Sequence, residues 1–339
     1  MEAATYVMPI RRPDGVVDGE LTRYLSEIGR RCELIVVDGS DPESFDVAHE
    51  AWSELGRHVR PHDAISGRNG KVRGVLTGVA LARHERVVIA DDDVRYDPRA
   101  LDRTIEALRN VELVRPQNFF APLVWHARWD TARTLLNRVG RGVDFPGTLA
   151  VRRSALRRTG GYDGDVLFEN LELIRTVEAA GGRVFSPPDL YVRRLPPSTR
   201  HFWSQRRRQA YDEFARPWRL CAYLAVLPLA AWALARRRRR QVGLAAVSVV
   251  LLAEAGRRRA GGTAVFPRSA SLFAPLWLVE RSVCSWLALA SRLRGGCPYS
   301  GARLRVAATS RRTLRRRLQA HDDDTRPRMP GREWEADDD

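Results

Sequence analysis

Three consecutive carboxylates, Asp91-Asp92-Asp93, follow the apolar run Val87-Val88-Ile89-Ala90. Such a run predicts a short buried strand, and a strand end is a rigid place to hold groups that do chemistry. In extended chain, side chains two positions apart face the same way, which would pair Asp91 with Asp93. Two carboxylates suit one Mg²⁺ or Mn²⁺ ion whose remaining positions go to water and substrate phosphate oxygens. The stretch therefore points to a phosphate-bearing substrate. A plainer role competes: Asp97-Pro98 opens a helical pattern running to Leu108, and an acidic residue can cap a helix. Three in a row exceed what one cap needs.

Other groups could join that chemistry. Of 57 basic residues only Lys71 is a lysine; either this is chance or the position needs a compact point charge rather than a guanidinium fork. Glu169 and Glu172 open a helical pattern that ends at Gly181-Gly182. There they suit the helix dipole whether or not they act on a substrate. Asp38 ends the apolar run Leu34–Val37 and begins the turn signal Asp38-Gly39-Ser40-Asp41-Pro42.

The elements that must position these residues alternate. Thr5–Ile10, Glu33–Val37 and Val87–Ala90 read as strands, whereas Leu21–Arg30, Phe45–Leu55, Val72–Arg83 and Arg99–Leu108 have apolar residues at helical spacing. Strand and helix in alternation predict an α/β domain with a mainly parallel sheet. In such sheets ligands sit beyond the carboxyl ends of the strands, where Asp38 and Asp91–Asp93 would share one pocket.

Charge is divided unevenly. Residues 1–200 hold 30 Lys+Arg against 29 Asp+Glu, and residues 201–339 hold 27 against 12, so nearly all of the net +16 lies in the last two-fifths. There, arginines are interleaved with the apolar stretches Cys221–Ala235 and Val242–Ala255. That pattern suits an anionic membrane surface better than nucleic acid, which would favour a polar basic groove. At 1.5 Å per residue each stretch reaches about 22 Å, short of a hydrocarbon core of about 30 Å, so an apolar helical hairpin that is shallow, re-entrant or barely spanning is expected. A third segment, Ser271–Leu293, carries Glu280 and Arg281 midway and reads as interfacial or packed on the domain. Cys32, Cys221, Cys284 and Cys297 have neither metal-site nor disulfide-framework spacing, which fits a reduced setting. Residues 310–339, with Arg311–Arg317 and an acidic end, predict little order.

Taken in order, Val7-Met8-Pro9-Ile10, Leu34–Ser40, Gly70-Lys71, Asp91-Asp92-Asp93, Gly147-Thr148-Leu149 with Arg152-Arg153, and Gly160-Gly161-Tyr162-Asp163 resemble family 2 glycosyltransferases over about residues 5–215. The resemblance is to membrane-associated members, similar to ceramide glucosyltransferases and related bacterial enzymes. It implies a GT-A fold, a nucleotide-diphosphate sugar donor and Mg²⁺ or Mn²⁺. It also implies roles: Asp38 on the nucleoside, Asp91 and Asp93 on the metal, and Lys71, Asp92, Gly147 and Arg208 on the donor. An inverting member takes the acceptor proton with the aspartate of a Glu-Asp pair. Here that pair reads Glu169-Asn170, and an amide cannot accept a proton, so Glu169 becomes the candidate base with Glu172 and Asp165 behind it. The family's QxxRW motif appears as Gln205-Arg206-Arg207-Arg208-Gln209 without its tryptophan, which implies single-sugar transfer.

The organisation so implied is a catalytic domain over 1–215, a membrane-associated helical region over 216–295 and a tail over 296–339. The catalytic domain would face the cytoplasm at the cell membrane and act on a lipid-linked or membrane-embedded acceptor. Three readings compete: a glycosyltransferase-like scaffold without turnover, suggested by Asn170; a nucleotidyltransferase, for which residues 9–20 lack a convincing phosphate loop; and a nucleic-acid binder, suggested by the net +16.

Overall fold

The computed structural model describes residues 2–12, 15–140, 147–299 and 302–323. A seven-stranded sheet lies at the centre of one compact unit, in the order Arg57–Val59, Glu33–Asp38, Thr5–Ile10, Arg86–Ala90, Thr148–Arg152, Leu113–Val114 and Val184–Phe185. The first four strands run parallel. Thr148–Arg152 is antiparallel to both of its neighbours, and the last pair is again parallel. Their residues are apolar on both faces because helices cover both: Tyr6, Val7, Met8, Ile35–Val37 and Val87–Ala90 are all buried. Burying each such valine, isoleucine or methionine side chain stabilises the fold by about 1.5–3 kcal/mol.

The expected helices form, but each begins one to three residues early. Gly19–Gly29, Pro42–Trp52, Gly70–Leu81 and Pro98–Ala107 start just after Asp18, Asp41, Asn69 and Asp97, whose side chains accept the orphan backbone N–H of Glu20, Ser44, Lys71 and Ala100. Capping chemistry, which apolar periodicity does not register, sets the true starts.

The helix Gly70–Leu81 lies close against the first strand. A Cβ placed on Gly78 would sit 2.3 Å from Val7 Cγ1. Gly78→Ala is therefore expected to destabilise the protein by about 1–3 kcal/mol despite alanine's better helix propensity. A denaturant midpoint at or above wild type would show that the helix can shift away without cost.

The chain groups into two units, one drawing on Met1–Pro116, Pro146–Pro187 and Thr309–Asp339, the other on Gln117–Phe145 and Pro188–Ala308. In the second, the helices Trp125–Val139, Arg239–Arg258 and Ala274–Leu293 meet around Ala132, Leu135, Ala253, Phe266, Ala270, Ala274 and Trp277. Pro217–Ala235 is the one helix among the described residues long and apolar enough to cross a membrane, and most of it is exposed. The tail expected to lack order includes a helix, Arg311–Asp323, held in the first unit by buried Leu314 and by Arg311–Glu178 (2.6 Å) and Arg317–Asp163 (2.8 Å) ion pairs. Leu314 and Leu318, one turn apart, give this arginine-rich helix an apolar side that local charge counting overlooks. Residues 324–339 lie outside the described residues.

Candidate active site

The strand Arg86–Ala90 ends before its acidic residues, and Asp92 and Asp93 lie in a turn. The same-face argument for Asp91 and Asp93 therefore does not apply, because alternation holds only in extended chain. Hydrogen bonds fix the turn instead. Asp91 N–H donates to Gly147 O at 2.8 Å, Val94 N–H to Asp91 O at 3.1 Å, and Arg95 Nη1 to Asp92 O at 2.6 Å while its guanidinium pairs with Glu20. Asp93 Oδ1 is shielded from solvent, and Asp92, half-exposed, has Arg12 at 3.8 Å.

Lys71 joins this turn to the candidate base. Its Nζ lies 2.5 Å from Asp91 Oδ1 and 2.9 Å from Glu169 Oε1. Burial would favour the neutral amine, but Asp91 and Glu169 outweigh it and push the Lys71 pKa well above its usual range. Asn69 sets the geometry. It caps the helix Gly70–Leu81 through Lys71 N–H and donates to Val166 O at 3.2 Å, tying the lysine to the segment that leads into Glu169. Gly67 (φ +138°) passes so close to Gly164 that a Cβ on Gly67 would sit 3.0 Å from the Gly164 Cα. Only glycine permits that backbone conformation and approach together.

Glu169 begins the helix Glu169–Ala179 and is 6% exposed. Glu172, one turn on, is fully buried and accepts Thr309 N–H at 2.6 Å. Burial raises its pKa, with the Thr309 bonds opposing. Glu172 is thus committed to holding the tail segment. Asp165 is exposed, accepts Arg68 N–H at 3.1 Å and lines a cavity of about 670 Å³ bounded by Ala64–Gly67, Gly160–Asp165, Leu314, Arg317 and Leu318. Tyr162, on the same cavity, has its phenol pKa raised by burial and then by the nearby Glu169 carboxylate. It is a neighbour of the cluster that residue type alone does not single out, although it lies within Gly160-Gly161-Tyr162-Asp163.

Asp38 ends its strand at the same sheet edge, paired in register with Ile10, and the strand between it and Arg86–Ala90 puts it about 10 Å from Asp91. It is 1% exposed and locally engaged: Oδ1 accepts Ser40 N–H at 2.8 Å, and Oδ2 lies 3.4 Å from His58 Nε2, whose ring stacks on Phe45. Burial raises its pKa, but the His58 and Ser40 hydrogen bonds outweigh that and leave it below 3.8. A carboxylate depressed in the fold stabilises it above its unfolded pKa, and this contribution is lost as pH falls through the lower folded value. Asp38→Asn is expected to flatten the loss of stability below about pH 4, read from urea midpoints between pH 6 and 2.5. An unchanged acid limb would place the dependence elsewhere. Arg208 belongs to the second unit, where its guanidinium lies 5.1 Å from the centre of the Tyr299 ring.

Among the described residues no three His, Cys, Asp or Glu side chains come together to cage a metal. The acidic turn fits a cation in a lighter way. Mg²⁺ and Mn²⁺ are commonly held by one or two carboxylates with substrate phosphates completing the shell, and Asp91 already faces a cation in the Lys71 ammonium.

Residues 25–212 match the family described as glycosyltransferase like family 2. The chain belongs to that family. The sheet of this glycosyltransferase has the GT-A arrangement. The mannosyltransferase from Pyrobaculum calidifontis, solved in complex with GDP-Man and Mn²⁺, is 20% identical, with 84% of this chain and 86% of that one covered and a TM-score of 0.53. Glucosyl-3-phosphoglycerate synthase from Mycobacterium tuberculosis, solved with Mn²⁺, UDP-Glc and phosphoglyceric acid, is 17% identical over 61% of this chain and 77% of that one, at a TM-score of 0.39. A comparison of the glycosyltransferase with curated proteins finds no match.

Proposed function

We propose that this glycosyltransferase moves a single sugar from a nucleotide-diphosphate donor to a hydroxyl of a lipid-linked or membrane-embedded acceptor, with inversion. One observation carries the reading: the Lys71 ammonium bridges the acidic turn and Glu169, so donor-side and acceptor-side carboxylates converge on one cation. Asp91 and Asp93 would hold Mg²⁺ or Mn²⁺. When bound, the metal supplies positive charge against the diphosphate leaving group.

The chain's own residues do the rest. Lys71 adds fixed positive charge beside the same turn. Gly147 O anchors Asp91 through its backbone N–H. Asp38, held by Ser40 and His58, shapes the nucleoside end of the sheet edge. Glu169, paired with Lys71, accepts the acceptor hydroxyl proton that Asn170 cannot.

The membrane side of the proposal rests on the helix Pro217–Ala235. Its Trp218 is 74% exposed, Leu229, Trp232 and Leu234 are exposed too, and Arg236–Arg240 follow. Apolar surface beside a run of arginines suits an anionic bilayer, and the resemblance to ceramide glucosyltransferase-like proteins supports a lipid acceptor at its cytoplasmic face.

A thermal-shift panel of nucleoside diphosphates tests the donor assignment. At a hundredfold excess over Kd, a binding nucleotide with Mn²⁺ adds about 2.7 kcal/mol of stability. Failure of every diphosphate to raise the melting temperature, with or without Mn²⁺, would remove the donor site from the proposal. Binding without sugar transfer or donor hydrolysis would favour the scaffold.

A further inference from the structure

The second unit buries more positive than negative charge. Arg206, on the helix Thr199–Tyr211, bonds Asp130 at 2.8 Å and Glu280 at 2.5 Å, and Arg133 pairs with Asp130 at 3.5 Å. Arg281 follows Glu280 on the helix Ala274–Leu293 and is 1% exposed. Its Nε and Nη1 have no hydrogen-bond partner among the described residues, and neither does the indole N–H of buried Trp277, whose ring lies under the Arg281 guanidinium at 5.2 Å. Asp130 and Glu280 both have lowered pKa values: burial works against ionisation, and the surrounding arginines overcome it. Arg206 thus bonds both carboxylates, and Arg281 bonds neither through Nε or Nη1. Glu213, the next acid felt by Arg281, pairs with Arg219 at 3.2 Å.

A buried guanidinium cannot shed its proton, and one left without hydrogen bonds costs several kcal/mol. The arrangement calls for an anion with several acceptor oxygens. We propose that Arg281 and Trp277 are the donors of a phosphate-binding site in the second unit. One negative charge, that of a phosphodiester, matches the single Arg281 guanidinium. On the other side of the same helix Leu276, Val279, Val283, Trp286 and Leu287 are exposed, a surface that a lipid bearing such a headgroup could cover. The lipid source rests on the membrane reading above. The phosphate site does not, and it involves neither donor nor metal.

Melting of the full chain in neutral detergent tests it, first with chloride replaced by inorganic phosphate at constant ionic strength, then with micelles containing phosphatidylglycerol or uncharged diacylglycerol. Phosphate or phosphatidylglycerol is expected to raise the melting temperature by about 3 °C or more near saturation. The first response alone would assign free phosphate; a stronger one to phosphatidylglycerol would assign the headgroup. Arg281→Met should lose the shift while melting no lower than wild type without phosphate, since it removes an uncompensated charge. Trp277→Phe, which keeps the ring and deletes the donor, should reduce the shift. The site is refuted if neither phosphate nor phosphatidylglycerol shifts the wild type, if Arg281→Met responds equally, or if Arg281→Met melts far lower in phosphate-free buffer, which would mean the arginine is already satisfied.

Discussion

Asp93→Ala is expected to lower donor turnover about 10³-fold, far more than any change in its denaturant midpoint accounts for. A carboxylate that positions a cation against the leaving diphosphate acts mainly as negative charge builds on that group, so its loss falls on the transition state more than on the fold. The turn itself is stapled by backbone bonds from Asp91 and Val94 and by Arg95, none of which requires the Asp93 side chain. Asp93→Asn, nearly isosteric, should be as inactive as the alanine variant, which separates charge from shape. Turnover measured at saturating nucleotide sugar and Mn²⁺ decides the matter: either variant above a tenth of the wild-type rate would take the metal role from this residue.

Lys71→Met should damage both activity and stability, and the two losses should respond differently to Mn²⁺. Without the ammonium, Asp91 and Glu169 face each other uncompensated in a mostly buried site, a loss of about 3 kcal/mol when one partner of such a pair is removed. Turnover is expected to fall about 10²-fold or more, because the fixed positive charge beside the acidic turn and the contact that holds Glu169 in place are both lost. A divalent ion at the acidic turn neutralises part of the same charge, so Mn²⁺ should raise the melting temperature of Lys71→Met by more degrees than that of wild type. Equal shifts in the two proteins would show that the lysine and the ion do not share Asp91.

The anion site and the lysine bridge illustrate the same limit on reading a chain from its residues. Glu280 and Arg281 stood out in sequence only as charges inside an apolar segment. That one is neutralised by Arg206 and the other is not depends on how three helices pack. Glu169 and Glu172 look alike in sequence, two acidic residues in one first turn. The fold gives Glu169 to Lys71 and Glu172 to Thr309, which separates a candidate base from a structural anchor.

What the sequence determined by itself was local. Apolar runs of four residues followed by aspartate specified two strand ends, and alternation with amphipathic helices specified a mainly parallel sheet whose carboxyl edge gathers Asp38 and Asp91–Asp93. Those features follow from backbone periodicity and burial, which act over a few residues. Only the tertiary structure decided that Lys71 meets Glu169 across 98 positions, that His58 engages Asp38, and that Asp91–Asp93 form a turn rather than continue a strand. Each of those outcomes depends on strand register, on helix caps at Asn69 and its neighbours, and on one glycine-to-glycine approach. These place distant side chains within 3 Å or so without leaving any periodic trace along the chain.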